Sequence, residues 1–144
     1  MNKTQQKAVR YAQLINDLVE NLEKNQSDLN PDFEKLKAAI QQDTVKDIPA
    51  DDYWRIQEHF QQGTNNYHAD LEKLQHGQAP ARLVGTHHLL LHAYEDFVAG
   101  CQQMVDSMLD DRTIDTKAFD TAEQAQDAAT EKIGKYIQKL TQLI

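Results

Sequence analysis

The chain has little of what usually anchors a functional assignment. It holds one cysteine, Cys101, so no internal disulfide framework is available, and a Cys/His zinc site is not expected without a second thiol nearby. No apolar run approaches the roughly 18–20 residues needed to cross a bilayer, so no transmembrane segment is expected. The opening stretch "MNKTQQKAVRYAQLINDL" carries basic residues without a continuous apolar core or cleavage site, and no signal peptide is expected. A cytoplasmic protein follows as the expectation, with surface association by a route not visible in the sequence as the alternative. An excess of basic charge is also missing. The net charge of −8 argues against nucleic-acid binding, because phosphate contacts need a basic surface.

Catalytic patterns are absent too. There is no nucleophilic triad, phosphate-cradling glycine loop, dinucleotide fingerprint or H-E-x-x-H helix. Inward Glu-x-x-His motifs of the di-iron bundles do not occur. "DSMLDDRTID" at 106–115 is acidic but lacks the glycine and ligand spacing of a calcium loop. No cofactor and no resident metal are expected, and a non-enzymatic protein is favoured over an enzyme.

Proline is scarce enough to be informative. Pro31, Pro49 and Pro80 each precede an amphipathic pattern, the position where a missing N–H costs least. Asn30 in "NPDFE" then reads as an N-cap, and Gly77 in "HGQAP" as a helix stop. Apolar residues at alternating spacings of four and three predict helices at about 3–26, 31–42, 50–76, 80–109 and 115–143. The stripe runs in register from Ile56 through Gly63 to Tyr67, so "QGTNN" at 62–66 is expected to continue a helix rather than turn. No alternating strand pattern competes. The expected fold is an all-α, up-down-up-down four-helix bundle with a short helical crossover between the first two long helices, in one domain over 1–144.

Three of the six histidines fall within "GTHHLLLHAYED". His87 lies on the apolar stripe and is expected to bond a tyrosine or backbone carbonyl at the edge of the core. His88 and His92 are four apart, and Glu95 follows. An imidazole pair at that spacing with a carboxylate beside it has the composition of a metal site. His92 points away from the stripe, however, and the solvent-facing interpretation is preferred. Cys101 sits on the core stripe as a small buried residue. Trp54 lies well off the Ile56/Phe60 stripe. It is expected to be covered by the 31–48 segment through Phe33, Ile40 or Ile48, or else to be an exposed aromatic anchor.

Charge adds a layout. In an up-down-up-down bundle one pole collects Lys3, Lys7, Arg10, Lys73, Arg82, Lys132, Lys135 and Lys139, together with His68, His76, His87 and His88, with His92 nearby. The other collects Glu20, Glu23, Asp51, Asp52, Glu58, Asp106, Asp110, Asp111, Asp115 and Asp120. Helix dipoles account for the charge order of two helices only, whereas sorting by pole accounts for four. The histidine-bearing end is expected to dock an anionic partner, more strongly below about pH 6.5. Polar outer faces favour a monomer or modest homodimer. A weaker alternative makes that end a metal or small-anion site, and the weakest is an acid/base enzyme built on His87 and a tyrosine.

The segments "IPADDYW", "YHADLEKL" and "APARLVGTHHLLLHAYEDF" resemble a group of small bacterial helical-bundle proteins, some of them predicted lipoproteins, whose functions are mostly unassigned. The resemblance covers about half of the chain and implies a bundle without implying an activity. The chain departs from the lipoprotein members in having no lipid-bearing cysteine near its start.

Overall fold

A computed structural model describes residues 1–143. Among them run four α-helices: α1 Lys3–Gln41, α2 Ala50–His76, α3 Val84–Asp106 and α4 Thr116–Leu143. Single 3-10 turns at Val45–Asp47 and Ala81–Leu83 precede α2 and α3.

The first helix is longer than expected. A capping box starts it, with the Gln5 N–H donating to Asn2 Oδ1 at 2.8 Å and the Asn2 N–H to Gln5 Oε1 at 3.0 Å. It then continues through Pro31, so the segment 31–42 is its last part and Asn30 is not a cap. A proline inside a helix removes one hydrogen bond and costs about 3 kcal/mol. Side-chain packing offsets that loss. Tyr11, Ile15, Leu18, Leu22, Asn25, Leu29, Asp32, Leu36 and Ala39 step by four and three without a slip, and all but partly buried Leu29 are buried. Asn25 and Asp32 are polar members of that stripe, which hides its continuity from a count of apolar residues. Both are satisfied by α2: Asn25 donates to the Gly63 carbonyl at 2.9 Å, and Asp32 accepts from Arg55 and His59.

The crossover that remains is the turn at Val45–Asp47. α1 ends in a Schellman arrangement: the Thr44 N–H donates to Ala39 O at 2.8 Å and the Asp43 N–H to Ile40 O at 3.2 Å. Asp43 takes the left-handed position usually given to glycine, with φ 56°.

α2 runs unbroken through Gly63, as its register predicts. A Cβ at Gly63 would stand 2.6 Å from Leu29 Cδ1, so glycine there allows α1 and α2 to approach closely. Gly77 ends the helix in extended backbone, and Leu14 of α1 fills the space a side chain would take. After α3, Tyr53 donates its hydroxyl proton towards the carbonyls of Leu109, at 2.8 Å, and Thr113, at 3.0 Å, and so ties down the loop. Asp115 caps α4 by accepting the Ala118 N–H at 3.0 Å.

These pairings set directions. Leu14 meets Gly77 and Asn25 meets Gly63, so α1 and α2 are antiparallel. Gln126 of α4 donates to Gly100 O of α3 at 3.1 Å, and Arg82 ahead of α3 donates to Leu143 O at 2.9 Å. The bundle is up-down-up-down. Its core divides into two clusters, one built around Tyr11, Leu74, Leu90 and Ile133, the other around Leu36, Tyr53, Ile56 and Phe119. α3 and α4 pack most closely, whereas α1 and α4 touch least among the adjacent helix pairs.

Candidate functional site

The topology brings the start of α1, the end of α2, the start of α3 and the end of α4 to one end of the bundle. Residues 1–6, Val9 and Arg10 are exposed, and Leu14 already lies against the end of α2, so the first turns of α1 overhang their neighbour. That overhang carries Lys3, Lys7 and Arg10. Lys73, Arg82, Lys135 and Lys139 join them from the other helices, all exposed. Lys132 lies about three turns short of Leu143 and belongs to the flank rather than the end.

The opposite end departs from the expected layout. Glu20 and Glu23 sit midway along the 39-residue α1, and its true end carries Lys35 and Lys37. Both lysines are neutralised: Lys35 pairs with Asp52, and Lys37 with Glu123 at 2.6 Å. Acids still dominate there through Asp51, Asp106, Asp110, Asp111 and Asp120, but α1 does not close acidic.

His87 is buried, and its Nδ1 lies 2.8 Å from the Tyr11 hydroxyl. Burial pushes the Tyr11 phenol up to about 12 and, with His88 adding to it, lowers the His87 imidazole. Both are therefore neutral near pH 7. The Tyr11 hydroxyl and His87 Nδ1 share one hydrogen bond, whose direction is set by the imidazole tautomer. This is the core-edge histidine that the stripe predicts. His88 is exposed, with its ring centroid 5.9 Å from that of His87. His92 is 73% exposed at its side chain, with Nδ1 3.7 Å from Glu95. The three histidines do not converge, and no group of three His, Cys, Asp or Glu side chains among the described residues is arranged to hold a metal ion.

Cys101 is buried, and burial pushes its thiol up to about 12, which keeps it protonated and a poor nucleophile. Trp54 is 38% exposed and meets Tyr53 edge-on at 5.0 Å. Phe33, Ile40 and Ile48, the expected cover, pack in the second core cluster, and Trp54 stays partly exposed.

One cluster escaped sequence reasoning. Asp28 and Asp32 of α1 face Arg55 and His59 of α2, each pair four residues apart. Arg55 Nη1 and Nη2 both reach Asp32 at 2.9 Å. His59 spans both acids, Nδ1 to Asp32 at 2.6 Å and Nε2 to Asp28 at 2.8 Å. The Arg55 guanidinium, with His59 assisting, holds the Asp32 carboxyl below the usual carboxylate range. Asp28 first, then Asp32, raises the His59 imidazole. The D-x-x-x-D and R-x-x-x-H spacings were visible, but ending the first helix near residue 26 separated the two acids from a common face.

Between α1 and α4 lies a cavity of about 610 Å³. It opens where the two core clusters meet, with Phe60, Tyr67, Phe97 and Met104 at its base and Ser27, Pro31 and Asp127 among its rim residues.

Comparison with protein-family profiles, curated proteins and solved structures gives no match in any of the three. The fold itself defines the class, an all-α bundle of four antiparallel helices. No described helix is long and apolar enough to cross a membrane.

Proposed function

We propose that this chain is a non-enzymatic cytoplasmic protein that acts by protein–protein contact, docking the acidic surface of a partner with its basic end. One observation carries this reading. Lys3, Lys7, Arg10, Lys73, Lys135 and Lys139 have no carboxylate within ion-pair distance among the described residues; towards the other end Lys35, Lys37 and Arg55 are paired, and the unpaired Lys46, Arg112 and Lys117 are outnumbered there by acids. Unpaired cations on an overhanging helix keep their field for a partner and steer its approach. Val9, 55% exposed, and the exposed Val84 and Leu89 add apolar contact area to the same end.

The test uses poly-glutamate and poly-lysine peptides of equal length, titrated at low salt. Poly-glutamate binding is expected, and it should be lost in the Lys3→Glu/Lys7→Glu/Arg10→Glu variant. Equal binding of both peptides, or an unchanged affinity in the charge-reversed variant, overturns the proposal. Preferential binding to anionic lipid vesicles would assign the end to a membrane surface instead.

A further inference from the structure

We infer that the cavity between α1 and α4 is a binding site for a small cationic amphiphile, an ammonium group attached to an apolar body. At about 610 Å³ it falls within the roughly 300–1,000 Å³ typical of ligand sites. Its base is apolar and aromatic, with Phe60, Tyr67, Phe97 and Met104 drawn from α2 and α3. Such a surface buries a hydrocarbon or aryl body and offers ring faces to a cation.

The rim selects charge. The only ionised side chains lining the cavity are Glu123 and Asp127, one turn apart on α4. Glu123 is occupied by Lys37, whose ammonium lies 2.6 Å from the carboxylate and 5.6 Å from the centroid of the Phe33 ring. Both Glu123 and Phe33 line the cavity, so the chain's own lysine displays the recognition chemistry, carboxylate on one side and aromatic face on the other. Asp127, one turn further along, helps to raise the Lys37 pKa but forms no ion pair of its own among the described residues. Across the opening, Pro31 supplies no N–H, so the Ser27 carbonyl lacks its helical donor and remains available as an acceptor. A carboxylate and a spare carbonyl on facing helices both call for a donor-bearing, positively charged head group.

The site also fits the packing. It lies at the seam of the two core clusters and between the two adjacent helices that touch least, where a guest separates no tight interface.

Calorimetric titration of the intact protein with decylammonium, decanoate and decyl maltoside, all below their micellar concentrations, tests the assignment. The expected order is cation first, maltoside weaker and decanoate weakest, with amide NMR shifts centred on Phe60, Phe97 and Cys101. Asp127→Asn should weaken the cation about fivefold, the scale of a partly exposed ion pair, and leave the maltoside unchanged. Asp110→Asn/Asp111→Asn, which lowers overall charge equally or more without touching the cavity, should leave cation binding intact. Equal sensitivity to both sets of substitutions means general attraction to an acidic protein and overturns the site, as do shifts confined to the surface. Concentration-dependent dimerisation that shifts the same amides places a second copy in the groove and also overturns it.

Discussion

His59 is the residue whose protonation matters most to the join between α1 and α2. Its imidazole lies between Asp28 and Asp32, and its pKa is raised in the folded chain. A folded-state value above the unfolded one means that the folded chain holds the proton more tightly. The resulting stability is fully present below the ordinary imidazole range and is lost as pH rises through the raised value. Wild type should therefore exceed His59→Gln in urea midpoint at about pH 6, with the gap shrinking towards about pH 9. A gap that widens with pH contradicts the paired geometry. Tyr94 offers a test of opposite sign. Its hydroxyl is buried without a hydrogen-bond partner among the described residues, and burial raises its pKa further than that of the other tyrosines. Tyr94→Phe removes an unsatisfied polar group and should stabilise the fold by about 1 kcal/mol in chemical denaturation.

At the scale of elements, α1 is the unusual helix. It keeps a proline in its interior because the buried stripe stays in register on both sides and α2 satisfies Asn25 and Asp32. Pro31→Ala restores the N–H that the Ser27 carbonyl lacks, and should raise stability by about 2 kcal/mol with helical content unchanged or slightly higher. A loss of stability would mean that Pro31 is needed for the packing rather than tolerated by it. The start of α2 at Pro49–Ala50 and its passage through Gly63 were legible in the sequence, because the apolar register and proline position are local signals. The continuity of α1 was not. Asn25 and Asp32 occupy core positions with polar side chains, and only their partners Gly63, Arg55 and His59 make those positions compatible with burial.

Taken whole, the molecule is a rod whose basic end carries Lys3, Lys7, Arg10, Lys73, Lys135 and Lys139 without ion pairs among the described residues, whereas Lys35, Lys37 and Arg55 are paired towards the other end. Surface charges that meet no partner contribute little to folding. Lys3→Glu/Lys7→Glu/Arg10→Glu should therefore change stability by less than about 0.5 kcal/mol, measured as a urea midpoint, while removing poly-glutamate binding. For wild type, raising salt from about 50 to about 300 mM should weaken that binding steeply, because exposed charges are screened over about 10 Å at moderate ionic strength. Trp54 illustrates the limit of single-helix reasoning. Its position off the stripe was readable, but its 38% exposure depends on packing between elements, which the stripe does not report.

The sequence by itself determined the helical class, the antiparallel order, most helix ends, and the core-edge position of His87. Those features follow from periodicity along one helix and from capping groups that act within a turn or two. Only the tertiary structure decided that α1 runs through Pro31, that Asp28 and Asp32 meet Arg55 and His59, and that α1 and α4 stand apart around a cavity. Each of these depends on distances between helices. Polar core positions and interhelical gaps are set by which side chains face each other across the bundle, and spacing along the chain does not carry that information.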